Sequence, residues 1–145
     1  MAIALRLATE DDAGWLEQLR RDAYRDLFVA TFGGWDEERH VRQWRTCWER
    51  GSISIIESQN QAVGMIQLFA APDAVEIGEL QIAPTFQNGG IGTAVLRDTI
   101  AQARARGRAV VLSTGLRNAA ARRLYLRLGF QETTQSETHV DLTIR

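Results

Sequence analysis

From Ile3 to Ala8 apolar and polar side chains alternate, the period of a half-buried strand. The period then lengthens to that of a helix. Trp15, Leu16, Leu19, Ala23 and Leu27 recur at helical spacing to about Ala30, after Thr9-x-x-Asp12, a capping-box-like start with Asp in place of Glu or Gln. Gly33-Gly34 breaks this run. Asp36 then caps a second helix through about Glu49, with Val41, Trp44 and Trp48 on one side. Ser52–Glu57 and Ala62–Ala71 read as strands joined by a polar turn, and Val75–Ala83 as a third strand after the Pro72-Asp73 turn. A helical pattern over Thr93–Arg106 ends at Gly107, and Arg108–Ser113 is a short apolar strand. Asn118 caps a helix through Leu128, which Gly129 and Phe130 close in a Schellman-type stop. Phe130–Ser136 and Thr138–Ile144 finish as an antiparallel pair. The predicted order is β-α-α-β-β-β-α-β-α-β-β.

Composition narrows the class. With 145 residues, 45% hydrophobic and 24% charged, the chain suits one soluble domain with a real core. No apolar run approaches the roughly 20 residues a membrane span needs, and the N-terminus lacks a signal-peptide layout. A single cysteine, Cys47, excludes an internal disulfide and a multi-cysteine metal site, and two histidines are too few for most zinc sites. The expectation is a reduced, cytoplasmic protein with no metal. His40 reads as a surface helix residue, and Cys47 has no histidine spaced to activate it as a nucleophile.

Charge is unevenly placed. Residues 1–50 hold ten acids against eight arginines, whereas 97–127 hold eight arginines and one acid, Asp98. Such a block is either a solvated helix face or a field for a ligand with several phosphates. Nucleic acid is the weaker partner, because the block lacks interleaved aromatics and the net charge is −1.

The most informative segment is Gln87–Gly92, Gln-Asn-Gly-Gly-Ile-Gly, which lies between a strand and a helix. Strand, glycine-rich turn and helix together present backbone N–H groups and a positive helix end to a phosphate. A P-loop needs a lysine, and this chain contains none. A Rossmann loop needs a third glycine where Val95 stands. Gln-x-x-Gly-x-Gly instead resembles the acyl-CoA pyrophosphate loop of the GNAT superfamily, the acetyl-CoA-dependent N-acetyltransferases. Asn118-x-x-Ala121-x-x-x-Tyr125, followed by Gly129-Phe130, resembles that family's second signature, in the right order and at the right separation. The resemblance is good over Val63–Phe130 and weak over the first 60 residues.

The resemblance implies a single mixed α/β domain over residues 1–145, with splayed central strands, and acetyl-CoA as donor. The donor would lie on Gln81, Ile82 and Ala83 at the strand end and on Gln87, Asn88, Gly89, Gly90, Ile91, Gly92 and Thr93 of the loop. Asn118, Ala121 and Tyr125 would complete its site, although Asn118 serves equally as a helix cap. Tyr125 occupies the general-acid position: a phenol near pKa 10 can protonate a leaving thiolate near 8.5. On patterning alone it is a packing residue of the stripe Ala121, Leu124, Tyr125, Leu128. By the same resemblance the Ile82 amide would polarise the acetyl carbonyl. Glu79 or Glu76 would be the base, on opposite strand faces, with water or a residue such as His139 as the alternative.

The acceptor is less legible. Tyr24, Phe28, Phe32, Trp35, Trp44 and Trp48 crowd the first two helices beside Asp36-Glu37-Glu38. They form either core or, by resemblance, the wall of an acceptor cleft. The second case suits a small cationic amine with an apolar part. A peptide acceptor and a non-catalytic acyl-CoA-binding module remain the alternatives. Family habit also leaves a homodimer open.

Overall fold

The elements follow one another as the patterning predicts. They are β1 (Ile3–Leu7), α1 (Ala13–Phe32), α2 (Glu37–Arg50), β2 (Ile53–Ser58), β3 (Gln61–Ala70), β4 (Ala74–Ile82), α3 (Ile91–Ala105), β5 (Ala109–Gly115), α4 (Ala119–Leu128), β6 (Gln131–Gln135) and β7 (His139–Ile144). The computed structural model describes residues 2–145. The strands form one mixed sheet in the order β1-β2-β3-β4-β5-β7-β6. By contacts the chain falls into two compact units. One takes the chain up to Gln67 together with Glu79–Ile91, and the other takes Leu68–Gly78 with Gly92–Arg145.

In the first unit Thr9 and Asp12 close the expected capping box around a short 3-10 turn, Glu10–Asp12, that runs into α1. The Thr9 amide and the Arg6 fork both donate to Asp12, which holds its carboxyl down at about 2, Arg6 contributing most. β2 and β3 pair antiparallel through Gln59-Asn60, both at positive φ (53° and 62°), the combination that a two-residue hairpin requires. Leu16 and Leu19 of α1, Trp44 and Cys47 of α2, Ile53 and Ile55 of β2 and Met65 of β3 make the core. Gln67, also buried, donates to the carbonyls of Cys47 and Gly51, satisfying acceptors that the end of α2 leaves free.

The buried faces of α1 and α2 carry polar residues. Trp15 is 38% exposed, because the buried stripe of α1 runs through Leu16, Leu19 and the charged Arg20. His40 is no surface residue: it is 2% exposed. The buried face of α2 is His40, Trp44 and Cys47, spaced i, i+4, i+7, so the histidine stands on the face that packs inward.

In the second unit α3 buries Val95, Leu96, Thr99, Ile100 and Ala103. β5 pairs parallel with β4 from Ala74↔Ala109 to Ile77↔Leu112, where the paired register stops. It pairs antiparallel with β7, which in turn pairs antiparallel with β6. Asn118 accepts from the Ala121 amide at the start of α4. Gly129, at φ +105°, ends that helix, and the Phe130 amide reaches back to the Tyr125 carbonyl as the Schellman-type stop requires. Among the described residues no helix is long and apolar enough to cross a membrane.

Candidate functional site

β4 leads through a 3-10 turn at Pro84–Phe86 into Gln87, and the chain then reverses at Asn88 (φ +64°) and Gly90 (φ +85°) before α3 begins at Ile91. A φ of +85° suits glycine and strains most other residues. Gln87 Nε2 donates to the Ile82 carbonyl at 2.9 Å and ties the turn to the strand end. Gln87, Asn88, Gly89 and Gly90 are exposed, whereas Ile91 is buried and anchors the helix. The first N–H groups of any helix lack intrahelical partners, so this junction offers donors and a positive dipole end to an anion.

The strand end carries a further donor. Ala83 N donates to the Val63 carbonyl of β3 at 2.8 Å. A Cβ on Gly64 would run into the Gln81 carbonyl, so that carbonyl also faces β3. Backbone groups of successive strand residues point to opposite edges. The Ile82 N–H between them therefore points away from β3.

Glu79 and Gln81 lie two residues apart on one face of β4 and are joined by a side-chain hydrogen bond. The two oxygens of Glu79 have different surroundings. Oε2 accepts from Gln81 Nε2 at 2.5 Å and from the Tyr24 hydroxyl at 3.4 Å. Oε1 faces Arg20 Nε at 3.7 Å, an ion-pair distance too long for a hydrogen bond. Arg20 lies over the Tyr24 ring, 5.2 Å from its centroid, and reaches His40 and Gln43 of α2. Gln81, expected at the donor site, thus orients a carboxylate and a phenol with its side chain. Sequence reasoning overlooked Arg20, Tyr24, His40 and Gln43 as one cluster. The available signal was Arg20 falling on the apolar stripe one residue after Leu19, and His40 one turn before Trp44.

Cys47 is buried, and burial, with Glu79 adding to it, pushes its thiol up to about 12, which suits packing and not nucleophilic attack. Beyond that cluster Phe28 stacks with Phe32 and Trp35 at centroid distances of 4.7 and 5.6 Å, and Arg39 covers the Phe28 ring. Trp44 and Trp48 pack at 5.6 Å, Trp44 buried within the core, so the predicted aromatic stripe divides between core and surface.

In the second unit Tyr125 is 8% exposed and meets Phe130 edge-on at 5.5 Å. Asn118 uses Oδ1 as the cap of α4, leaving its amide nitrogen for another partner. Of the eight arginines in the basic block, Arg122 forks onto Glu132 and the Leu116 carbonyl, and Arg104 onto the Arg145 carbonyl. Among the described residues no cluster of three or more His, Cys, Asp or Glu gathers that could hold a metal ion.

Comparison with known proteins bears on what this arrangement does. A model of the acetyltransferase (GNAT) family matches residues 18–130. An uncharacterized N-acetyltransferase of Methanocaldococcus jannaschii is 27% identical over 144 residues, covering 88% of this chain, which spans 60% of that relative's length. One from Archaeoglobus fulgidus is 26% identical, covering 83% of this chain and 88% of its own. The fold is similar to that of the PaiA N-acetyltransferase from Thermoplasma acidophilum, solved in complex with coenzyme A, with a TM-score of 0.79 at 16% identity over 100% of this chain and 99% of that one. The ribosomal-protein-S18-alanine N-acetyltransferase from Escherichia coli aligns with a TM-score of 0.73 at 16% identity, over 99% of this chain and 93% of that one.

Proposed function

The chain belongs to the acetyltransferase (GNAT) family, and from that premise we propose that it moves an acetyl group from acetyl-CoA to a small cationic amine by direct attack. The observation that carries this reading is the turn at Asn88 and Gly90, whose positive φ values lead straight into the first turn of α3. Those residues fit the donor, because a pyrophosphate can approach an exposed glycine-rich backbone at a helix N-terminus. Gln87, Asn88, Gly89, Gly90, Ile91, Gly92 and Thr93 would hold it, with the Asn118 amide and the Ala121 backbone at the second signature.

The neutral amine attacks the thioester carbonyl. The carbonyl oxygen becomes an oxyanion, and the Ile82 N–H donates to it. Collapse of this intermediate breaks the carbon–sulfur bond, and the Tyr125 hydroxyl gives its proton to the departing thiolate. Glu79 receives the amine: its Oε2 is taken by Gln81 and Tyr24, and Oε1, which faces Arg20 at 3.7 Å without hydrogen-bonding it, is the oxygen that holds the cationic group and accepts the proton. Glu76 is the alternative base, and water a third. A carboxylate at this position favours a positively charged acceptor over an anionic one.

The test is thiol release from acetyl-CoA with a panel of polyamines, aminoglycosides, amino acids and peptides. The reading expects turnover with cationic amines and product mass increased by one acetyl group. A preference for anionic acceptors would sink the acceptor assignment. Acetyl-CoA binding without turnover on any amine would favour a binding module.

A further inference from the structure

Behind Glu79 stand side chains that the transfer chemistry does not use. Arg20 presents Nε toward Glu79 Oε1, while Nη2 donates to Gln43 Oε1 at 3.1 Å and Nη1 lies 3.3 Å from His40 Nδ1. A guanidinium has donors only, so His40 Nδ1 must accept and the ring proton must sit on Nε2. Among the described residues, neither His40 Nε2 nor Arg20 Nε, both buried, has a hydrogen-bond partner. An unpaired buried donor is destabilising, and apolar side chains can often replace a buried charged cluster at no loss of stability. Stability alone does not call for this arrangement.

Resting on the acetyl-transfer reading, we propose that Arg20 and His40 are positioning residues for the acceptor side of the reaction. His40 locks the Arg20 guanidinium, and Arg20 sets the pose of the Glu79 carboxylate. With Nη1 and Nη2 anchored on α2, Arg20 cannot swing forward to cover Oε1. Its charge acts on the carboxylate while the oxygen that meets the amine stays open. The lock works only with a neutral ring, since a proton on Nδ1 would face Nη1 donor to donor. Burial first, then the charges of Arg20 and Arg21, keep His40 below its ordinary range, and Glu37 and Glu17 oppose them. The Trp35 ring, 5.3 Å from the imidazole, adds no charge.

A double-mutant cycle separates positioning through Glu79 from a general structural role. His40→Leu is expected to lower kcat/KM for the amine roughly 10- to 100-fold, the scale of a small misplacement, with the acetyl-CoA KM within about twofold. In a Glu79→Gln background the same substitution should have less than about a twofold further effect, because its route to the reaction is gone. His40→Asn, whose Oδ1 can accept from Arg20, should restore most of the rate. If His40→Leu does not fold, Arg20→Lys, which keeps the charge and loses the fork, takes its place in the cycle. Equal losses in both backgrounds, or a parallel rise in acetyl-CoA KM, would overturn the proposal. If wild-type protein acetylates no amine, the acetyl-transfer reading fails by itself, and ¹⁵N NMR of the histidines judges the brace. A neutral Nε2–H ring at His40 that responds to Glu79→Gln supports it, with exposed His139 as the reference. An Nδ1–H tautomer, or a His40 indifferent to Glu79→Gln, refutes it.

Discussion

The phenol of Tyr125 and the carboxylate of Glu79 are the two side chains whose chemistry the proposed transfer needs. Tyr125 is nearly buried against Phe130, so a packing role and a chemical role make different predictions for removal of one oxygen. Tyr125→Phe keeps the ring and its edge-on contact. A general acid is worth on the order of 10²–10⁴ in rate, so kcat should fall by that range while acetyl-CoA still stabilises the protein. Wild-type turnover in this variant would leave Tyr125 a core residue only. At Glu79 the structure adds what sequence lacked. Glu79 was already a candidate, but the unequal surroundings of its two oxygens depend on Tyr24 and Arg20, 55 and 59 positions away in the chain.

Among the elements, β4 and the turn that follows it do most of the positioning. Gly90 at φ +85° and the Gln87 bond to Ile82 set where the loop amides point. Gly64 lies where a Cβ would strike the Gln81 carbonyl and press on Ile82. Gly64→Ala should therefore displace the end of β4, raising the acetyl-CoA KM several-fold and lowering Tm. Unchanged kinetics would mean that the strand end absorbs the methyl without moving Ile82. Caps and turns at this scale were legible because they depend on near neighbours: Thr9 with Asp12, Asp36 with the Arg39 amide, Asn118 with Ala121, Gly129 closing α4. Helix faces were read less well. His40 was assigned to the wrong side, since hydrophobicity predicts burial only until a polar residue finds partners inside. Arg20 and His40 found each other across α1 and α2, a pairing that no local pattern announces.

For the whole molecule, the order of elements was legible from patterning, and the fold from two motifs whose separation resembles that of one family. The neighbours of Glu79 were not, since they come from α1, α2 and β4. Burial of the His40 ring also has a global consequence. Its folded-state pKa lies below the unfolded value of about 6.5. The unfolded chain therefore takes up the proton first as pH falls. Stability from this group is fully present above about 6.5 and is lost as pH falls toward the folded value, by about 1.4 kcal/mol for each unit between the two. Urea unfolding from pH 7.5 to 5 should show that decline in wild type, and His40→Asn should lack it. Equal slopes in the two proteins would mean that His40 titrates alike folded and unfolded.

Donor binding underlies every step assigned to this chain, and thermal unfolding with CoA, acetyl-CoA, 3′-dephospho-CoA and NAD tests it most directly. A ligand at 100 times its dissociation constant stabilises by about 2.7 kcal/mol. Acetyl-CoA should raise Tm clearly, the 3′-dephospho form less, and NAD not at all. No shift with any CoA, or a larger one with NAD, would contradict the reading of Gln87–Gly92 and the mechanism built on it.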